Sequence, residues 1–180
     1  MLRLEVVRGD LALERTDAVV NAANSSLLGG GGVDGALHAA AGPTLLAECR
    51  ELRRARWPHG LPVGEAVATG AGLLPVRWVI HTVGPDVHRG QTDPALLATC
   101  FTRSLDVAAG LGARSVAFPA ISAGAYGWAV QDVARIAVHA VRTWRPDPSS
   151  DPARAPDLVR FVLFSEAARA AFDGQCSPPA

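Results

Sequence analysis

The sequence predicts a three-layer α/β/α sandwich, and two features of the chain indicate this fold class. Short runs rich in β-branched residues alternate with longer segments of helical periodicity, which is typical of a largely parallel or mixed sheet with helices on both faces. The length of 180 residues fits one α/β domain, and no internal repeat or domain boundary interrupts it. We therefore expect a single domain over 1–175 and a flexible tail over 176–180.

Six strands and four helical segments are expected in chain order, from runs that alternate between the two periodicities. The strands are LRLEVVR (2–8), DAVVN (17–21), AVATG (66–70), RWVIHTV (77–83), RSVAFPA (114–120) and LVRFVLF (158–164). The helical segments are 33–54, interrupted at Gly42-Pro43, then 93–110, 128–144 and 165–173. The Pro- and Ser-containing segment 145–156 is expected to be a solvated loop, with a lid or partner contact as the alternative.

The composition argues against several classes of protein. The 17 basic and 17 acidic residues give a net charge of zero, which argues against binding of bare nucleic acid. Three cysteines without a C-x-x-C pair argue against a disulfide framework or a zinc site. No apolar stretch is long enough to cross a bilayer and the N-terminus does not resemble a signal peptide, so we expect a soluble, cytoplasmic protein with no membrane partner. All the basic residues are arginine, which is typical of a GC-rich bacterial genome.

Two glycine-containing loops each follow a predicted strand and lead into a predicted helix: NAANSSLLGGGGVDGALH (21–38) and ISAGAYGW (121–128). In an open α/β sheet, ligands bind outside the carboxyl ends of the strands. Glycines let the backbone approach a ligand closely, and a helix N-terminus presents unpaired N–H groups to an anion. Two such loops predict a pyrophosphate held by backbone N–H groups, with ordinary turn formation as the alternative.

The stretch 30–35 formally matches the G-x-G-x-x-G motif. A dinucleotide-binding fold needs these glycines directly after its first strand, whereas residues 22–29 separate the match from the predicted strand. The chain also contains no P-loop motif. Neither a Rossmann fingerprint nor a P-loop site is therefore expected.

Five side chains near these loops are candidates for chemistry. Asp34 either caps its helix or complements the helix dipole with a favourable charge, or it polarises a water or a ribose hydroxyl beside a diphosphate. Asn24 either forms a turn or binds sugar hydroxyls, and Asp10 either closes a turn or accepts an amino proton from a base such as adenine. Tyr126, the only tyrosine, packs at an edge or on a sugar. His38 shares the helix face of Asp34 and either orients its carboxylate or forms an interhelical hydrogen bond, the alternative that we favour.

The remaining histidines give no sign of a metal site. They are His59, His81, His88 and His139, and their spacing does not bring metal ligands together. We expect no metal and no cofactor.

These residues resemble the macrodomain family, and in particular its MacroD-type branch of ADP-ribosyl hydrolases, from Gly9 to Phe164. One of the four matching segments is highly specific, because chance rarely places NAAN, a glycine run and VDG in this order and spacing. The segments are GD (9–10), DAVVNAANSSLLGGGGVDGALH (17–38), RWVIHTVGP (77–85) and SVAFPAISAGAYG (115–127). The resemblance implies a mixed, mostly parallel six-stranded sheet and a cleft for ADP-ribose.

The resemblance also implies a role for each candidate residue. Asp10 holds the adenine amino group, with Phe164 beside the ring, and the two glycine loops enclose the diphosphate. Asn24 and Asp34 orient the distal ribose and assist the attack of water, while Tyr126 packs near that ribose. Further ADP-ribose contacts are implied for Leu11, Ala22, Gly31, Gly32, Val33, Ser122, Ala123, Gly124 and Ala125.

Two positions depart from the family pattern. Ala123 stands where relatives usually have the threonine of an S-T-G sequence, so a hydroxyl near the phosphates is missing. Ala39 stands where a charged or polar residue usually follows the histidine. Because backbone N–H donors remain, we expect binding to survive, while the linkage preference and the rate depend on these two changes.

The expected function is hydrolysis of mono-ADP-ribose from acidic side chains of proteins. Deacetylation of O-acetyl-ADP-ribose and hydrolysis of ADP-ribosylated nucleic acid are alternatives that place the broken bond at the same point. A non-catalytic reader of ADP-ribosylated partners is the alternative from another class, and it does not require the pair Asn24 and Asp34. The expected partner is ADP-ribose or an ADP-ribosylated macromolecule, protein first and nucleic acid second, and a monomer is expected.

Overall fold

The computed structural model describes residues 2–149 and 151–176, and it contains a six-stranded sheet with helices on both faces. The strands are β1 (Arg3–Arg8), β2 (Ala18–Ala23), β3 (Ala66–Gly70), β4 (Trp78–Val83), β5 (Ser115–Phe118) and β6 (Leu158–Leu163). The helices are α1 (Gly32–Ala41), α2 (Pro43–Ala55), α3 (Pro94–Leu111), α4 (Val130–Thr143) and α5 (Glu166–Cys176). Short 3₁₀ turns lie at Leu11–Leu13, Val87–Arg89 and Pro152–Arg154.

The sheet is mixed, with the strand order β1-β6-β5-β2-β4-β3. Neighbouring strands are parallel except for the edge pair β3 and β4, which is antiparallel. Residues 71–77 join these two strands, and so short a connection cannot make the crossover that a parallel pair needs. The five parallel strands all end at one edge of the sheet, so the loops that follow them meet there.

Each face of the sheet has its own apolar core. On one face, α3, α4 and α5 cover a cluster of buried phenylalanines whose neighbouring ring centroids lie 4.9 to 6.4 Å apart: Phe101, Phe118, Phe161 and Phe172. On the other face, α1 and α2 bury Leu37, Leu45 and Cys49 against the sheet. Burial of a large apolar side chain contributes about 1.5–3 kcal/mol, so these cores hold both helical layers, and the loops between them, in fixed positions.

The predicted fold class is confirmed, and the bounds of the elements differ by a few residues. β2 extends to Ala23, so Asn24 directly follows the strand and does not lie three residues beyond it. β5 ends at Phe118 because Pro119 has no N–H to continue the ladder. α5 includes Cys176, the first residue of the expected tail, while 177–180 lie outside the described residues. Within 2–149 and 151–176, no helix combines the length and the apolar character that a membrane crossing requires.

Candidate functional site

The carboxyl ends of the parallel strands border two adjoining cavities. The larger, of about 610 Å³, extends from the ends of β1 and β6 to the N-terminus of α1, and the smaller, of about 280 Å³, lies at the ends of β2 and β4. The larger has the size of a typical small-molecule site. Both glycine loops reach the place where the cavities meet, and the residues that border both are Gly32, Val33, Ala120 and Gly124.

Three of the predicted site residues lie at the outer end of the larger cavity. Asp10 follows β1 and caps the turn Leu11–Leu13, where its Oδ1 accepts the N–H of Ala12 at 2.9 Å. Leu11 is buried in the wall, whereas Phe164, directly after β6, is 87% exposed and forms the rim. An apolar wall with a carboxylate at its edge suits a flat group that carries hydrogen-bond donors.

The N-terminus of α1 faces the junction of the cavities. Gly31 is its N-cap residue, and no side chain of the described residues caps the first turn. A Cβ atom at Gly31 would meet nothing within 4 Å, so the backbone here is open to the smaller cavity. Free N–H groups at a helix N-terminus attract an anion, and this end of α1 is therefore suited to a phosphate.

Ser122 in the second glycine loop has a left-handed backbone, with φ of 66°, and is only 7% exposed. This conformation costs a residue other than glycine about 1–2 kcal/mol, so surrounding contacts must hold it. Gly84, directly after β4, makes such a contact. A Cβ at Gly84 would overlap the Ser122 hydroxyl and lie 2.8 Å from Cγ2 of Ile121. The end of β4 thus packs directly against the second glycine loop, and both border the smaller cavity.

Asn24 closes the turn that precedes the glycine run. Its Nδ2 donates to the carbonyl of Gly29 at 2.9 Å, and its Oδ1 accepts the N–H of Ser26 at 3.1 Å and also the Ser26 hydroxyl. The turn-forming alternative therefore holds, and Asn24 borders the smaller cavity as well. A Cβ at Gly30 would lie 3.1 Å from Asn24 Nδ2 and 3.2 Å from Asp34 Oδ2. The backbone of Gly30 consequently passes between these two side chains.

Asp34 is the third residue of α1 and is 4% exposed. Its Oδ1 accepts a hydrogen bond from Asn21 Nδ2 at 2.8 Å, while its Oδ2 has no hydrogen-bond partner among the residues that the structure describes. Burial raises the pKa of the Asp34 carboxyl above its ordinary value, against the opposing effects of the Asn21 hydrogen bond and of His38 nearby. A carboxyl with a raised pKa beside a cavity is a candidate proton acceptor.

The structure decides between the alternatives for two residues of α1, Asp34 and His38. Asp34 does not cap α1, because Gly31 occupies the cap position, but it lies in the first turn, where a negative charge complements the helix dipole. The interhelical hydrogen bond that we favoured for His38 is wrong: its Nε2 lies 3.4 Å from Oδ1 of Asp34. The spacing of four residues stacks these two side chains on the buried side of one helix.

Asn21 and His81 also belong to the site, although neither was predicted as a site residue. The side chain of Asn21 joins Asp34 to His81, whose Nδ1 lies 3.2 Å from Asn21 Nδ2. Both residues are fully buried, and burial lowers the pKa of His81 to about 3, with a smaller effect from His38. A polar residue within a mainly apolar run of each strand was the available signal, because such residues need buried partners.

Tyr126 lies in the wall of the smaller cavity, partly exposed. Its carbonyl accepts the N–H of Val87 at 2.9 Å, so the 3₁₀ turn Val87–Arg89 supports this part of the loop. Burial raises the pKa of the Tyr126 phenol, and the charge of Asp86 adds to this effect. The hydroxyl is therefore protonated at neutral pH and can donate a hydrogen bond.

The other predicted site residues also border these cavities. Ala123 borders the larger one, and Ala22 and Ala125 border the smaller one. Ala39 is exposed on α1, so the second departure from the family pattern faces solvent. Over 2–149 and 151–176, no group of three His, Cys, Asp or Glu side chains is placed to hold a metal ion.

Comparison with known proteins identifies the family. The sequence model of the Macro domain matches residues 20–137. Over 170 residues the chain is 54% identical to a macro domain-containing protein of Streptomyces griseus, covering 94% of this chain and 92% of that protein. Its structure is similar to an Oceanobacillus iheyensis macrodomain with ADP, with a TM-score of 0.84 and 40% identity over 96% of this chain and 88% of that chain. It is also similar to a Trypanosoma brucei macrodomain in complex with ADP-ribose, with a TM-score of 0.82 and 35% identity over 98% of this chain and 69% of that chain. The chain therefore belongs to the macrodomain family.

Proposed function

We propose that this macrodomain binds ADP-ribose and hydrolyses its linkage to acidic side chains of proteins, releasing mono-ADP-ribose. The proposal rests on the buried carboxylate of Asp34, which borders the smaller cavity and has one oxygen without a hydrogen-bond partner among the described residues. A buried, incompletely paired carboxylate costs stability, and a module that only binds its ligand does not need one. The Oceanobacillus iheyensis and Trypanosoma brucei macrodomains, with ADP and ADP-ribose, support the ligand class.

The two cavities suggest how the ligand lies. In this proposal, adenine occupies the larger cavity beside Asp10, and the distal ribose occupies the smaller cavity beside Asn24 and Asp34. The diphosphate then lies at the junction, against the N-terminus of α1 and the loop of Gly124. Among the described residues, neither cavity is bordered by an arginine, so backbone N–H groups would neutralise the phosphates.

The proposed reaction is attack of water on the anomeric carbon of the distal ribose. A bond forms from the water oxygen to that carbon, and the bond to the carboxylate oxygen of the modified side chain breaks, with its electrons leaving on the carboxylate. One water proton passes to Asp34 or to a phosphate oxygen. The raised pKa makes Asp34 a better proton acceptor than an exposed aspartate. Because Gly30 lies against Oδ2, the glycine segment would shift to admit the water.

Other linkages at the distal ribose fit the same geometry. O-acetyl-ADP-ribose and ADP-ribosylated nucleic acid would place the broken bond next to Asp34 as well. We favour a protein target because the chain has no net charge, and nucleic-acid enzymes usually carry a basic surface.

The test is release of ADP-ribose from a glutamate-linked, automodified protein, with ADP-ribose affinity measured by calorimetry. We expect wild-type turnover and a fall of at least about 100-fold for Asp34→Ala, the order of magnitude of a positioned acid–base group, while affinity changes little. Asp132→Ala is the matched control, because Asp132 is the third residue of α4 as Asp34 is of α1, and it is exposed. Tight binding without release from the protein, the acetyl ester or nucleic acid would identify a reader and refute the proposal.

A further inference from the structure

A buried chain of hydrogen bonds connects β3 to the Asp34 carboxylate. Asn21 on β2 and His81 on β4 are register partners, so their side chains lie side by side on the face that α1 and α2 cover. His81 Nε2 lies 2.9 Å from Oγ1 of Thr69, a residue of β3. Thr69, His81, Asn21 and Asp34 are each at most 5% exposed. These bonds are therefore shielded from bulk solvent.

The direction of each hydrogen bond follows from the groups involved. The Thr69 hydroxyl donates to the carbonyl of Gly70 at 2.8 Å, so its oxygen accepts from His81 Nε2. The neutral His81 ring then carries its proton on Nε2 and presents an unprotonated Nδ1 to Asn21. An amide nitrogen only donates, and Asn21 Nδ2 has two protons, one for His81 Nδ1 and one for Asp34 Oδ1.

The reversed amide would be unfavourable at both ends. It would place Oδ1 of Asn21 against the Asp34 carboxylate and against the lone pair of His81 Nδ1. In the orientation present, Oδ1 has no hydrogen-bond partner among the described residues. In this orientation both protons of the Asn21 amide are used, one by Asp34 and one by His81. The Asp34 carboxylate and the His81 tautomer therefore both favour it.

We infer that His81 is a positioning residue for the reaction: through an Nε2–H tautomer fixed by Thr69, it holds the Asn21 amide with its nitrogen directed at Asp34. The inference rests on the hydrolase function proposed above. His81 does not touch the ligand, because it borders neither cavity. Its effect is on the orientation and ionisation of the carboxylate, so it acts on the chemical step and leaves the binding of ADP-ribose unchanged.

The main test compares two substitutions of threonine by valine in buried strands. Thr69→Val removes the hydroxyl that fixes His81. Thr82→Val is the control: Thr82 lies on the neighbouring strand β4, and its buried hydroxyl donates to the carbonyl of Glu65 at 2.8 Å, outside the chain of bonds. We expect Thr69→Val to lower kcat about tenfold, part of the roughly 10²–10⁴-fold that a positioned acid–base group contributes. The KM and the calorimetric Kd for ADP-ribose should stay within about twofold, and Thr82→Val should keep the wild-type kcat.

Substitutions of His81 and an NMR measurement complete the test. His81→Leu should lower kcat at least as much as Thr69→Val, and His81→Asn, whose side-chain oxygen can still accept from Asn21, should recover most of it. The ¹⁵N shifts of the His81 ring in the wild type should show a neutral Nε2–H tautomer, which does not depend on how the variants fold.

Each outcome bears on one claim. A wild type that releases no ADP-ribose refutes the proposed function itself. If the wild type is active, three results overturn the inference while leaving the function intact. They are an unchanged kcat in Thr69→Val, an equal loss of kcat in Thr82→Val, and a His81 ring that is charged or protonated on Nδ1.

Discussion

Replacement of Gly84 by alanine tests whether the end of β4 holds the second glycine loop in place. The new methyl group would overlap the Ser122 hydroxyl and lie 2.8 Å from Cγ2 of Ile121, and both of these residues are buried. Overpacking of a buried site typically costs about 1–3 kcal/mol, and with two neighbours displaced we expect about 2 kcal/mol. For a domain of this length, that corresponds to a fall in Tm of about 4–8 °C.

Ser122→Gly supplies the matched test, because it removes the overlapping hydroxyl and frees a residue held at φ of 66°. Alone it should change stability little, since relief of about 1–2 kcal/mol of backbone strain is offset by the greater freedom of glycine in the unfolded chain, about 0.4–1 kcal/mol. In the Gly84→Ala background it should restore about half of the lost stability, leaving the contact with Ile121. Urea and thermal denaturation of all four proteins give the coupling energy, and strictly additive effects would refute the contact as the cause.

Three further predictions concern the buried carboxylate, its neighbours and the glycine run. Because burial raises the pKa of Asp34, the folded chain keeps a proton that the unfolded chain releases above pH 3.8. Wild-type stability should therefore fall as pH rises from 3.8 through the raised pKa. In urea titrations, Asp34→Asn should gain stability relative to the wild type as pH rises from 3 to neutrality. The lowered pKa of His81 has the opposite effect on stability, because between pH 6.5 and about 3 the ring binds a proton only in the unfolded chain. Wild-type stability should therefore fall with decreasing pH in this window. A His81→Asn variant with the same dependence of stability on pH would contradict this assignment. Gly30→Ala places a methyl group about 3 Å from both Asn24 Nδ2 and Asp34 Oδ2 and should lower turnover about tenfold. The control is Gly110→Ala, at an exposed glycine of α3 with open space around it. It should keep full turnover and stabilise the folded protein by about 0.5–1 kcal/mol.

The order of strands and helices was predictable because local patterns determine it. Runs of β-branched residues and helical periodicity located the six strands and five α-helices that the structure contains in its described residues, but not its three 3₁₀ turns. The antiparallel direction of β3 was also within reach, since residues 71–77 are too few for a crossover. The glycine loops were placed correctly at the carboxyl ends of the strands, because that rule depends only on the order of the elements.

The chain of buried bonds behind Asp34 was not predictable, because it depends on register. Asn21 and His81 are sixty residues apart in sequence and meet only because β2 and β4 pair in one alignment. A shift by one residue would turn one of them to the opposite face of the sheet. The contact of His38 with Asp34 was not the favoured alternative, because spacing shows that two side chains share a helix face but not what lies opposite them.

Hydrolysis of a glutamate-linked substrate in water enriched in ¹⁸O tests the central claim most directly. Attack at the anomeric carbon breaks the bond between that carbon and the carboxylate oxygen. Mass spectrometry should therefore show a peptide that has lost ADP-ribose and whose glutamate carboxyl contains no ¹⁸O. Incorporation of ¹⁸O into the glutamate carboxyl would mean that water attacks the ester carbonyl, and failure to release ADP-ribose would mean that this macrodomain does not hydrolyse that linkage. Either result would contradict the mechanism proposed for Asp34.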